Sequence, residues 1–492
     1  MALSKFFKDA LFVQALNVLI KPVWILVVDR AVQNLLPPEQ YVAYYSWLSF
    51  TILFVILLDV GINSYNNTKV AGDKNFLKTH FNSYLHVKAI LALVYALLAI
   101  GVAYVISIPS AEVMVLTLLV VYQILVSFTQ FFRSNITALG FYRSEGWLSI
   151  SDRAFAIVIC GLFLWVPALK NYFNISVFIA IQIAGAALTL ITAGWLLRPS
   201  IKQSSVLPQK VFLTRVIKET WPYALLIALM GIYSRTDAVM LRFLAEDGTA
   251  ETEAYAMGYR LLDAGSMLIA VFSGLLLPAF VPLLKQREPL FKLAHAAYGL
   301  IYILVLPGIL FCVFYPNFII DFLYPDKLNP SAYDVFVFLM SVLPAAGIIY
   351  VFGALLTAAG ELRFLNLMAM ITVFINVIGN VWLIRQYGSA GAAIATLVSQ
   401  WVFALGCLIK SYQHFNWTLN MGKASGMMAW SVFVFLLIFA MFKFEFDWKL
   451  SLVVAYAVSL VLIFVFGPSE IENGITAILK KDPDKSSHRI AP

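Results

Sequence analysis

Six basic residues sit inside apolar stretches of the chain: Lys21, Lys88, Arg133, Arg153, Arg235 and Arg260. Three carboxylates do the same: Asp59, Asp237 and Asp263. A charge at the centre of a membrane helix costs about 2.5–3.5 kcal/mol on insertion scales, and it usually faces a cavity or a partner. Arginine presents a planar fork of donors that fits phosphate, and lysine supplies a point charge. The chemistry on offer is recognition of an anion, here assigned to Lys21, Arg133, Arg235 and Arg260. Asp59, Asp237 and Asp263 are then candidates for coupling to a proton or a sodium ion. No catalytic residues are expected. His80, His86, His295, His414 and His488 sit in loops or near helix ends without metal spacing. A nucleophile elbow, a P-loop and a dinucleotide fingerprint are all missing. Cys160, Cys312 and Cys407 lie in apolar runs and read as small core residues.

The elements that must carry these residues are membrane helices. Of the 492 residues, 62% are hydrophobic and 12% charged, against roughly 45–50% and 25% in soluble domains. The net charge of +8 is dispersed over short loops. That placement argues for topology signals, not for nucleic-acid binding. A spanning helix needs about 20 mostly apolar residues. Fourteen stretches qualify: 9–29, 41–66, 83–106, 111–140, 149–167, 174–197, 216–242, 255–284, 290–315, 333–358, 363–384, 389–410, 425–442 and 449–467. The chain is thus expected to be an all-α polytopic membrane protein of about 14 transmembrane helices. The positive, apolar start lacks a cleavage site and reads as a retained first helix.

An even number of spans puts both termini on one side. Loops on that side carry 21 Lys and Arg, and loops on the other side carry 7. The positive-inside rule therefore places both termini in the cytoplasm. The longest loop on that side, 198–215, separates spans six and seven. "TALGFYR" (137–143) closes span four and "TAAGELR" (357–363) closes span ten. "AGAALT" (184–189) in span six is echoed by "AGAAIAT" (390–396) in span twelve, and Pro22 in span one by Pro222 in span seven. These echoes predict two parallel six-helix lobes, a transporter architecture. The divisions are 1–197 for the N-lobe, 198–215 for the inter-lobe loop and 216–411 for the C-lobe. Spans thirteen and fourteen occupy 412–467, and 468–492 is a cytoplasmic tail. "LLDVG" (57–61) and "LLDAG" (261–265) read as a false echo, because their aspartates lie near opposite ends of their helices.

Depth separates the six basic residues. At 1.5 Å per residue, Lys21 is about 18 Å into span one and Arg235 about 28 Å into span seven. Lys88 and Arg153 lie within two turns of the cytoplasmic face, where long side chains are expected to snorkel. Asp263 follows Arg260 by three residues, so an intrahelical pair is feasible. Asp237 follows Arg235 by two, on a different face. Structural ion pairing is the alternative reading for Lys21, Arg133, Arg235 and Arg260, and charge balance for the arginines is that for the aspartates.

Three stretches resemble the polysaccharide-type flippases of the multidrug/oligosaccharidyl-lipid/polysaccharide (MOP) exporter superfamily. The first runs from 222 to 284 and includes Arg235, Asp237, Tyr255, Tyr259, Arg260 and Pro278. The second, 355–400, is similar to the family's Ala-Gly turn, Asn-rich span eleven and Gly-Ala start of span twelve. The third, 57–72, resembles its second span and the following loop. One departure is Arg385, where a proline is often found. The resemblance implies a Wzx-type flippase of the bacterial inner membrane, acting in lipopolysaccharide O-antigen or related polysaccharide biosynthesis. Its substrate would be an undecaprenyl-diphosphate-linked oligosaccharide, with polysaccharide polymerase machinery as a possible partner and no nucleic acid involved. A lipid II flippase or a multidrug antiporter would share the fold, but a cation exporter should have an acidic cavity. A polysaccharide polymerase or ligase would need a longer outer loop than 316–332.

Overall fold

A computed structural model describes residues 2–201, 210–273, 276, 280, 283–284, 290–327, 329–418 and 421–466. Among them the chain is helical throughout, with no strand. Ten helical runs are long and apolar enough to cross a membrane, and one of these, Leu362–His414, is two helices folded about Gly388. Large apolar side chains such as Leu97, Trp195, Ile227 and Phe374 are more than half exposed on the outer surface of the bundle. Water would not tolerate such a surface, and lipid requires it.

The two seven-residue phrases form one structure twice. The helix Val113–Ala138 ends at Gly140, with φ +89°, and the helix Ala354–Ala358 ends at Gly360, with φ +82°. In the first, Gly140 N–H donates to Thr137 O and Phe141 N–H to Ile136 O. In the second, Gly360 N–H donates to Thr357 O and Glu361 N–H to Leu356 O. Both are Schellman caps, which need a residue tolerant of positive φ at the cap. The second echo also has a shared cause. A Cβ on Gly185 would lie 2.8 Å from Asp152 O, and one on Gly391 would lie 2.2 Å from Leu383 O. Each glycine lets its helix sit directly on a backbone carbonyl of the preceding one. We refer below to the Gly140 face and, at the other ends of the helices, the Gly388 face.

Several spans depart from the continuous helices expected. Span two is Pro38–Leu53, then a 3-10 turn Val55–Leu58, then Ile62–Gly72 after a break with positive φ at Val60 and Gly61. "LLDVG" falls on this break, whereas "LLDAG" lies inside the unbroken helix Gly248–Ser273. Span one passes through a π-helical segment, Trp24–Asp29, just after Pro22, and span ten through another, Ile349–Gly353. The expected loop 67–82 is helical. Ile62–Gly72 continues span two, and Lys74–Val105 begins at once, with Asp73 Oδ1 accepting from Asn75 N–H at 2.9 Å. Hydropathy stops at the polar residues here, but an N-cap lets the helices run on beyond the apolar zone. The segment 316–332 carries a short helix, Pro316–Leu323. Pro278, the middle of the inter-lobe loop and the tail lie outside the described residues.

Candidate functional site

Spans one, two, seven and eight pack on one another where the two halves of the chain meet. The intramembrane charges gather around this junction in four groups.

The first is in the N-terminal half. Lys21 from span one lies in the field of Arg133 from span four and of Glu145, Asp152 and Arg153 from span five. Arg133 donates to Glu145 at 2.5 Å, and both side chains are partly exposed. Arg153 donates to Tyr122 Oη at 2.9 Å and Gln182 Oε1 at 3.2 Å, and lies over the Trp24 ring. Its nearest carboxylate, Asp152, is 3.9 Å away. Lys21 has no ion pair among the described residues. Three bases thus share two acids, and the paired side chains are partly exposed.

The second group crosses the junction. Arg260 of span eight pairs with Asp29 of span one at 2.5 Å, not with Asp263 of its own helix. Tyr41 joins them: Arg260 Nε–H donates to Tyr41 Oη at 3.2 Å, and Tyr41 O–H donates to Asp29 Oδ2 at 3.3 Å. Asp263 instead holds Arg235 of span seven, at 3.3 Å. Arg235 lies over the Tyr259 ring and Arg260 over the Tyr45 ring, both about 5.1 Å from the ring centroid. Three more contacts close the Gly388 face of the junction. Arg242 pairs with Glu112, which also accepts from Trp47 Nε1. Lys327 pairs with Glu253 at 2.7 Å and reaches Leu36 O. Asn34 donates to Leu323 O at 3.0 Å.

The third group is the broken segment of span two. Lys88 is 1% exposed and donates to Leu58 O at 3.0 Å and Asp59 Oδ1 at 3.2 Å. Ser127 donates to the same Leu58 carbonyl at 3.2 Å. The break frees backbone carbonyls, and in a membrane these must be satisfied from within the protein. Lys88 therefore turns inward and does not snorkel, because its partner is a backbone defect that hydropathy does not register. Arg153 likewise turns inward, onto Trp24 and Tyr122. Nearby, Thr220 Oγ1 donates to Val60 O at 2.9 Å across the junction, and a Cβ on Gly61 would overlap Thr220.

The fourth group is Asp237. It is fully buried, and among the described residues it has no basic partner. Its Oδ2 accepts from Tyr255 at 2.5 Å and from Thr396, and its Oδ1 accepts from Asn380 Nδ2 at 2.5 Å. Asn376 stands behind Asn380, at 3.2 Å. Asn380 Oδ1 and Asn376 Nδ2 lack partners. A buried carboxylate with no base beside it, caged by hydroxyls and amides and with the Asn380 amide oxygen to spare, suits a hard cation or a proton.

The structure thus pairs Arg133, Arg235 and Arg260 individually, leaves Lys21 without a carboxylate, and separates Asp237 from Asp59 and Asp263, which are paired. Asp29 and Asp152 escape the sequence reading because they lie at predicted span ends, and Glu145 because it lies in the predicted loop between spans four and five. The one available signal for Asp29 is a carboxylate directly after the apolar run Trp24–Val28. Among the described residues no group of His, Cys, Asp and Glu is arranged to hold a metal.

The fold recurs in solved structures. The lipid II flippase MurJ in an inward closed conformation superposes with a TM-score of 0.69 at 15% identity, covering 93% of this chain and 98% of that one. A multidrug resistance MATE family transporter of the MOP superfamily, inward-facing, gives 0.62 at 13% identity over 82% and 98%. A MOP superfamily transporter from Pyrococcus furiosus, described as having a binding pocket of reverse polarity, gives 0.60 at 12% identity over 83% and 96%. No curated protein matches. Residues 10–284, more than half of the chain, match the model of the polysaccharide biosynthesis protein family, and the chain belongs to that family.

Proposed function

We propose that this protein is a Wzx-type flippase, moving an undecaprenyl-diphosphate-linked oligosaccharide across the bacterial inner membrane. The Gly140 face is cytoplasmic in this reading, supported by the excess of Lys and Arg in its loops. Residues 1–197 and 216–411 act as two lobes that rock about the junction of spans one, two, seven and eight. The observation that carries the substrate class is the cluster of Lys21, Arg133 and Arg153 against Glu145 and Asp152, with Lys21 lacking an ion pair among the described residues. An anionic headgroup brings the missing negative charge. A diphosphate accepts from both an ammonium and a guanidinium fork. An organic cation would add to the surplus, which argues against drug export. Pocket polarity is also what the Pyrococcus furiosus structure is described by.

Asp237 is the proposed coupling site. Every other carboxylate named at the junction has a base beside it, so Asp237 alone gains by taking a sodium ion or a proton there. When bound, the cation supplies the missing positive charge, and Tyr255, Asn376, Asn380 and Thr396 hold the carboxylate in place. A deletion strain tests the function. Intact lipid-linked oligosaccharide stranded in the cytoplasmic leaflet is the expected result. Single-unit glycan that reaches the periplasm but never lengthens would mean a polymerase, and accumulated lipid II would mean a peptidoglycan-precursor flippase. Lys21→Gln should reduce surface glycan to near background while the protein still inserts, and wild-type glycan in that variant would refute the headgroup site.

A further inference from the structure

Four charges run in a row across the lobe junction: Asp29, Arg260, Asp263 and Arg235. In this structure they form two pairs, Asp29 with Arg260 at 2.5 Å and Asp263 with Arg235 at 3.3 Å. Only the first joins the two halves of the chain. Arg235, Arg260 and Asp263 all act on the one buried ring of Tyr45, so the pairs are neighbours. Asp263 also lies in the field of Asp29. The first pair is incompletely satisfied: Arg260 Nη2 and Asp29 Oδ1 are buried without partners. Arg260 and Asp263 are three residues apart in the unbroken helix Gly248–Ser273, a spacing at which they can pair. An alternative partner for each middle charge is therefore already in place.

We propose that these residues form a charge relay by which an anionic headgroup unlocks the Gly388 face. A diphosphate that moves on from the Lys21 cluster to Arg235 takes over its guanidinium and releases Asp263. Asp263 then captures Arg260 along its own helix. Arg260 leaves Asp29, and the junction loses its central tie between span one and span eight. Tyr41 stays with Asp29 and donates to it, so the released carboxylate is not stripped of partners. The Arg242–Glu112 pair is partly exposed and the Lys327–Glu253 pair is nearly buried, and both lie toward the helix ends, where water reaches them once the centre parts. The relay moves only partners and needs no change in protonation. It makes opening conditional on cargo, because without an anion at Arg235 both pairs hold. The trigger rests on the diphosphate reading above, while the tie itself does not.

The test is a distance measurement between spin labels at Ala111 and Glu246, exposed positions of the two halves on the Gly388 face, with the native cysteines replaced by alanine. The protein is reconstituted in vesicles with or without undecaprenyl diphosphate. Wild type should show one short distance without the lipid and a second, longer one with it. Asp29→Asn should show the longer distance without any lipid. So should Asp29→Asn combined with Arg260→Gln, which leaves no unpaired charge. Asp263→Asn should keep the short distance even with the lipid, because Arg260 has nowhere to go. If both Asp29 variants stay short, the tie is refuted. If Asp263→Asn opens with lipid as wild type does, the relay is refuted. If wild type ignores the lipid while the Asp29 variants open, the diphosphate trigger fails and the tie stands.

Discussion

Lys88→Met tests whether a buried ammonium braces the break in span two. The substitution keeps the length of the side chain and removes its charge. It breaks the ion pair to Asp59 at 3.2 Å and the bond to Leu58 O at 3.0 Å. Removing one partner of a buried pair costs about 3–5 kcal/mol. Asp59 retains 26% exposure, so part of its charge is solvated and the lower end applies. Leu58 O keeps Ser127 as a donor, which limits the carbonyl's share to about 1 kcal/mol. We expect a loss of about 3 kcal/mol in Lys88→Met and about 1 kcal/mol in Lys88→Met/Asp59→Asn, where no charge is stranded. The assay is equilibrium unfolding in mixed micelles, read as a double-mutant cycle. An unchanged stability in the single variant, or equal losses in both, would refute the brace. Rapid maleimide labelling of a cysteine at 88 from the cytoplasmic side would do the same, because it would restore the snorkelling geometry that its position in the sequence suggests.

Three further outcomes are expected. Asp237→Asn should fold, keep Asn380 and Thr396 in contact, and abolish the sodium or pH dependence of transport measured in vesicles. Gly140→Ala and Gly360→Ala should each cost about 1 kcal/mol, because both sites need positive φ while a Cβ there meets nothing within 4 Å; thermal unfolding of the two variants should show similar losses. Glu251→Ala should destabilise the start of span twelve by about 1–2 kcal/mol, since Glu251 accepts from Ser389 N–H at 2.6 Å and from its hydroxyl, in the manner of an N-cap; hydrogen exchange at residues 389–392 should rise.

The sequence alone determined the membrane class, the span order and the repeat. These follow from local quantities: apolar run length and the glycines of two matching turns. Gly140 and Gly360 could be matched because a Schellman cap is a property of about six consecutive residues. Which charge meets which was decided by tertiary structure. Arg260 has Asp263 one turn away, yet it pairs with Asp29, 231 positions back in the chain. Lys88 has the depth and length to reach water, yet it turns to a carbonyl released by the break at Val60 and Gly61. Asp237 and Asp263 look alike in sequence, but only Asp237 lands among Tyr255, Asn380 and Thr396 without a base. In lipid, a buried charge goes to whichever partner the helix packing brings nearest. That partner depends on distances across the junction and on where helices unwind, and neither has a signature in a window of neighbouring residues.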